Sequence, residues 1–196
     1  MVDPHLGLFL FVVGVATDSP PFVRTFGVIA TDAVLGVFAV LFLVSWWRAR
    51  TAGAERMAKA LLAPAATVVA GLVGEVIKLL FREERPCHTT AGIAPCPAPD
   101  DWSFPSSHSV IAGSAAVALA LVAGRVLRRI ALACAVFTAA SRVFVGVHYP
   151  HDVAAGLLLG ALVVTFLPMA ARRAAPVVAR LRSGTPGRTL LGAGPR

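Results

Sequence analysis

The feature that most constrains this chain is a set of apolar runs long enough to leave water. A helix that crosses a bilayer needs about 20 mostly apolar residues. Phe26–Trp47, Met57–Phe81 and His151–Ala171 meet that length, and the shorter runs His108–Gly124 and Arg129–Val143 approach it. Main-chain N–H and C=O groups in hydrocarbon must be satisfied inside the segment, so such runs become helices. Composition agrees, since 57% of residues are hydrophobic and only 14% are charged, against about 25% charged in soluble domains. The expected fold is an all-α integral membrane protein, a bundle of five to six transmembrane helices. The sixth is left open by Leu6–Ala16, which is too short for an ordinary span and either lies in the interface, re-enters, or makes a thin crossing. It follows Val2-Asp3-Pro4-His5 with no basic stretch before it, so it does not read as a cleaved signal peptide.

Basic residues set the orientation. Arg48, Arg50, Arg56 and Lys59 lie in one connection, Arg125, Arg128 and Arg129 in another, and Arg172 and Arg173 follow the last span. If five spans alternate, all three segments share one side, which the positive-inside rule makes cytoplasmic. These residues explain much of the net charge of +8. No basic stripe carries interleaved aromatics, so nucleic acid is excluded as a partner. Residues 1–171 are read as one membrane-embedded domain. Residues 172–196, rich in Arg, Gly and Pro, are expected to form a disordered basic tail at the cytoplasmic surface.

The connection Arg82–Ser107 and the turn Phe144–Pro150 then fall together on the extracytoplasmic side, and the chain's remaining polar residues gather there. Lys78-Leu-Leu-Phe-Arg-Glu-Glu-Arg85-Pro86 closes the second span. Phe104-Pro105-Ser106-Ser107-His108 opens the third. Ser141-Arg142 and His148-Tyr149-Pro150-His151-Asp152 join the fourth span to the fifth. Phosphoryl transfer spreads negative charge over equatorial oxygens that must meet fixed cations and N–H donors. Lys78, Arg85 and Arg142 supply the cations, and Arg suits the role through its planar fork. Ser106 adds a hydroxyl, and the helix starting near Ser107 adds free N–H groups. His148 can attack phosphorus if one ring nitrogen is bare and the other is held, and Asp152 is placed to hold it. His108 can protonate the leaving oxygen and later deprotonate water. No metal or other cofactor is required, because the three cations take that place. Taken singly, Lys78 and Arg85 read as snorkelling residues, the histidines as boundary residues and Asp152 as a helix N-terminal charge. Their joint spacing on one face favours the functional reading.

These clusters resemble the three-part signature K-x6-R-P, P-S-G-H and S-R-x5-H-x3-D of the type 2 phosphatidic acid phosphatase superfamily. The match runs from Lys78 to Asp152. The resemblance implies a helical bundle with His148 as nucleophile, His108 as acid/base and Asp152 as the helper carboxylate. It implies phosphate contacts from Lys78, Arg85, Ser106, Ser107 and Arg142. One position departs, with Ser107 standing where the pattern has Gly; its N–H survives, but its side chain narrows the pocket. Within the superfamily, a small chain with short outer loops most resembles the undecaprenyl-diphosphate phosphatases. That implies hydrolysis of undecaprenyl diphosphate to the monophosphate through a phosphohistidine, at the plasma membrane with the site facing outward. Phosphatidylglycerophosphate, phosphatidate and polyprenyl-phosphosugar phosphates are the alternative substrates.

Asp32 and Glu75 are carboxylates inside expected spans. Glu75, three residues before Lys78, can pair with it, and Asp32 can hydrogen-bond into the site; packing contacts are the duller alternative. They also permit a membrane transporter, which would leave the His148–Asp152 spacing without a purpose. A soluble vanadate haloperoxidase has a similar anion pocket but does not fit five apolar runs. His151 lies outside the signature and reads as an exposed interfacial residue. Cys134 reads as a small apolar residue within a span. Cys87 and Cys96 share the outer loop, where a disulfide is permitted; a zinc site using them with His88 lacks a clear fourth ligand.

Overall fold

A computed structural model describes residues 4–194, and among them the chain is helical with no strand. Helix α1 runs Pro4–Asp18, α2 Pro21–Ala49, α3 Ala54–Phe81, α4 Ser107–Val122, α5 Arg125–Phe144, α6 Pro150–Val164, α7 Leu167–Leu181 and α8 Thr185–Leu191. Pro starts α2 and α6, where its missing N–H is no loss. Among the described residues, three segments are long and apolar enough to cross a membrane: α2, α3, and Pro150–Leu181, which joins α6 to α7. Helix α5 falls short in apolar character because it opens on Arg125, Arg128 and Arg129.

Helix α4 has 16 residues, or about 24 Å at 1.5 Å per residue, less than the ~30 Å hydrocarbon core. It need not face lipid along its length, because it packs on α3, α5 and α6 and buries Val110, Ala112, Ala115, Ala118 and Leu119 among others. Its tightest neighbour is α6. A Cβ added at Gly113 would come within 2.5 Å of the Leu157 carbonyl. One at Gly160 would collide with the Val110 carbonyl. Small residues spaced by four thus let two backbones touch, and the starts of α4 and α6 meet, with the Ser106 N–H donating to the Asp152 carbonyl at 3.1 Å.

Helix α1 has 15 residues and packs Phe9 and Val13 against Ala139, Val143 and Val153 of α5 and α6. The tail departs from the expected disorder, because α7 and α8 continue through it. The Arg182 guanidinium organises that end. It donates to the Ala52 carbonyl at 2.7 Å, the Ala49 carbonyl at 3.1 Å and the Leu191 carbonyl at 2.8 Å. Arg and Ala are also good helix formers, which composition alone concealed. Residues 195–196 of the tail, and 1–3 of the start, lie outside the described residues.

Candidate active site

Three chain segments converge at the end of the bundle where α3 stops and α4 and α6 start. Lys78 sits in the last turn of α3, where a cation suits the helix dipole, and its side chain is only 6% exposed. The helix is closed by Arg82 in the left-handed region at φ 48°. A long connection follows, made of Arg85 in extended backbone, a short 3-10 turn at Pro86–His88 and a return through Ser103. The Cys87–Cys96 disulfide staples this connection, so those sulfurs are not zinc ligands. Its far side is clasped to the α5–α6 turn. Ile93 and Ala94 N–H both donate to the Val145 carbonyl at 3.2 Å. Gly146, at φ 85°, approaches Gly92 so closely that an added Cβ would lie 2.6 Å from its Cα.

His148 lies in that turn and is 1% exposed. Its Nε2 is 2.9 Å from Arg85 Nη1. A guanidinium can only donate, so Nε2 accepts and carries no hydrogen. Its Nδ1 is 3.3 Å from Ser103 Oγ and 3.4 Å from Asp152 Oδ2. The Ser103 hydroxyl gives its one hydrogen to Asp152 Oδ2 at 2.5 Å, so its oxygen accepts from Nδ1–H. Both sides of the ring therefore fix the same tautomer, with a bare Nε2 turned toward the cations. Asp152 Oδ2 also accepts the Tyr149 N–H at 2.8 Å and so caps α6. Burial, ahead of the opposing Asp152 contact, lowers the imidazole to about 3, so the ring is neutral at pH 7.

The cations are already engaged. Asp101 Oδ1 is 3.0 Å from Lys78 Nζ and 2.8 Å from Arg85 Nη2. Burial pushes that carboxyl up, but the hydrogen bonds from Arg85 and Lys78 outweigh it and hold Asp101 below its usual range. Asp32 Oδ1 is 2.8 Å from His108 Nε2 and 3.8 Å from Arg142 Nη1. Glu75 Oε1 accepts from Ser107 Oγ at 2.6 Å and lies 3.8 Å from Lys78 Nζ. Both in-span carboxylates thus point into the site, and the side chain of Ser107 is turned toward α3. Arg142 Nε and Ser106 Oγ are buried without a hydrogen-bond partner among the described residues. Buried donors are costly to leave unpaired, and an anion between the segments would satisfy them.

All eight site residues expected from sequence gather here: Lys78, Arg85, Ser106, Ser107, His108, Arg142, His148 and Asp152. The expected His148–Asp152 contact is present at 3.4 Å, and Ser103 Oγ, 3.3 Å from the same ring nitrogen, joins it. Ser103 and Asp101 were not anticipated; each is a single polar residue in an irregular loop, without periodicity to mark it. His151 is also more than an exposed residue, since its Nε2 is 2.8 Å from Glu83 Oε1 and its ring stacks on Tyr149.

Fold and site together define a multi-pass membrane protein that carries a histidine-bearing anion cradle at one end of a helical bundle. The chain belongs to the PAP2 superfamily, whose family model matches residues 59–175. It is 36% identical over 114 residues to the undecaprenyl-diphosphatase of Sulfolobus acidocaldarius, covering 56% of this chain and 53% of that protein. It is 34% identical over 146 residues to undecaprenyl-diphosphatase BcrC of Bacillus subtilis, covering 71% of this chain and 70% of that one. The chain spans little more than half the length of several curated relatives that it matches. The crystal structure of the first transmembrane PAP2 type phosphatidylglycerolphosphate phosphatase from Bacillus subtilis shares the fold, with a TM-score of 0.64 at 21% identity over 86% of each chain.

Proposed function

We propose that this chain hydrolyses a lipid phosphate or diphosphate at the extracytoplasmic headgroup level, with undecaprenyl diphosphate as the foremost substrate. The observation that carries the reading is the buried His148 ring, whose bare Nε2 touches Arg85 while Nδ1 is held by Ser103 and Asp152. An imidazole so arranged is a nucleophile with its proton parked on the far side.

Substrate phosphate displaces Asp101 and takes Lys78, Arg85 and Arg142 together with Ser106 Oγ and the first N–H groups of α4. Nε2 forms a bond to phosphorus as the bond to the leaving oxygen breaks. His108 gives that oxygen its proton. Water then attacks phosphorus, the P–N bond breaks, and His108 takes the water's proton, which frees phosphate. Asp152, through Ser103, steadies the charge that the ring carries in between. Asp32 Oδ1, 2.8 Å from His108 Nε2, holds the proton-bearing nitrogen and gives way when that proton passes to the leaving oxygen. The carboxylates that a transporter would use are thus engaged in this site.

A lipid tail has a route. A groove of about 340 Å³ lies between α3 and α4, lined by Thr67, Val68, Gly71, Leu72 and Ile111, and it ends at Glu75 beside the cradle. The outward orientation is supported by the basic residues clustered at the opposite end. The relatives named undecaprenyl-diphosphatase favour a polyprenyl diphosphate; phosphatidylglycerophosphate, phosphatidate and polyprenyl-phosphosugar phosphates are the alternatives.

The test is phosphate release in detergent from undecaprenyl diphosphate, phosphatidylglycerophosphate and phosphatidate. His148→Ala is expected to lower release by on the order of 10³-fold or more in protein that remains folded, and EDTA is expected not to inhibit the parent protein. Wild-type turnover in His148→Ala would remove the nucleophile. A cysteine placed at Asp101 that resists an impermeant thiol reagent in intact cells would overturn the orientation.

A further inference from the structure

Asp152 divides its work between its two oxygens. Oδ2 takes Ser103 and the Tyr149 N–H. Oδ1 is buried, in a side chain with 0% exposure, and makes no hydrogen bond among the described residues. Leaving a carboxylate oxygen so placed is costly. This oxygen faces outward toward His151, whose Nε2 lies 3.2 Å away, too poorly aligned for a hydrogen bond. The same Nε2 is 2.8 Å from Glu83 Oε1. The three ligand atoms all lie within 4.8 Å of one another.

We propose that Glu83, His151 and Asp152 form a binding site for a divalent cation of the Zn²⁺ type, which restrains the enzyme when filled. Imidazole nitrogen and carboxylate oxygen are both ligands that this ion takes. Ligands on tetrahedral zinc, bonded at about 2.0–2.1 Å, stand roughly 3.3 Å apart. The two separations from His151 Nε2, 2.8 Å and 3.2 Å, lie within about half an ångström of that spacing. Each ligand already rests on positioned structure. The His151 ring is stacked on Tyr149 at an interplanar angle of 9°. The Glu83 carbonyl accepts the Ser103 N–H at 2.7 Å. Asp152 is fixed from behind through Oδ2. The Glu83 and His151 side chains are each 36% exposed, so a cation reaches the site from water and keeps an open position there. It replaces the proton that Nε2 otherwise shares with the carboxylates.

The effect on rate rests on the phosphatase reading above; the binding does not. A cation on Oδ1 draws negative charge away from the carboxylate that, through Ser103, steadies His148 as the P–N bond forms. The ion is therefore an inhibitor and not a cofactor.

The experiment uses the full chain in detergent, stripped with EDTA and titrated with Zn²⁺ by calorimetry. One ion per chain is expected. His151→Gln and Glu83→Gln should each weaken binding by at least the ~10- to 100-fold that losing an outer-shell partner costs a metal site. The Zn²⁺ concentration that halves phosphate release should rise by the same factor, while the uninhibited rate stays near wild type. No zinc bound by the parent protein, or equal binding by both variants, overturns the site. Zinc bound without effect on turnover overturns the restraint. A parent protein that releases no phosphate from any lipid sinks the phosphatase reading and leaves the calorimetry standing.

Discussion

Two buried arginines, one at each end of the bundle, use the same planar fork for different ends. Arg182, 8% exposed, donates to the carbonyls of Ala49, Ala52 and Leu191. Arg85, 4% exposed, donates to the carbonyls of Asp101 and Val147 but also to the Asp101 carboxylate and to His148 Nε2. Main-chain carbonyls cannot leave, so the charge of Arg182 is committed to joining α7 and α8 to the α2–α3 turn. A carboxylate on a loop can swing away, so part of the Arg85 charge is available to an incoming anion. The permanence of the partner, more than burial, separates a structural cation from a working one.

Exchange of the two arginines' roles is the strongest test. Arg85→Ala should cost about 10³-fold in phosphate release and also lower stability, since the Asp101 and Val147 carbonyls lose their donor. Arg182→Ala should lower stability by about 2–4 kcal/mol through orphaned carbonyls while turnover per folded molecule holds. Similar profiles for the two variants would erase the distinction. A smaller effect is expected at Ser103, where Ala removes the hydroxyl that joins His148 to Asp152 and leaves only their direct 3.4 Å contact. Release should fall about 10- to 100-fold, as loss of a hydrogen bond to a charged group worth ~1.5–3 kcal/mol implies, with KM nearly unchanged.

Acid probes the same end. Burial holds the His148 ring near 3, while an unfolded histidine titrates near 6.5. The unfolded chain therefore binds the extra proton first. The stability that His148 contributes is whole above about 6.5 and is lost as pH falls from there toward 3, by at most ~1.4 kcal/mol per pH unit from this ring. Denaturation midpoints of the parent and His148→Gln across that range measure the difference, and parallel curves would refute it. The smallest effect is expected at Asp101. Asp101→Asn removes the resident anion, so orthophosphate should inhibit several-fold more tightly; weaker inhibition would mean that Asp101 helps to hold phosphate.

The comparison also explains what was legible in the sequence. Lys78, Arg85, His108, Arg142, His148 and Asp152 could be read because fixed spacing and apolar runs together place them on one face. The helices themselves followed from hydropathy. Ser103 and Asp101 act through a folded loop, and nothing local distinguishes them from other polar loop residues. The Arg182 anchor was hidden for a related reason, since its partners are carbonyls more than a hundred residues away, and the tail's composition suggested disorder. The spacing of Gly156 and Gly160 was present in the sequence but says nothing of its partner until α4 is seen lying on it.

That α4–α6 seam has a mechanical consequence. With no side chains between the backbones at Gly113 and Gly160, the gap separating the His108-bearing and Asp152-bearing helix starts is set by atomic contact and has no slack. One methyl group added at Gly160 would wedge the chemistry apart from deep inside the bundle without touching a reacting atom. On the proposed reading, lipid preference is open to retuning along the α3–α4 groove, on the other flank of α4, while the seam keeps its calibration. The proposed chemistry and the proposed tail route would then sit on opposite sides of one short helix.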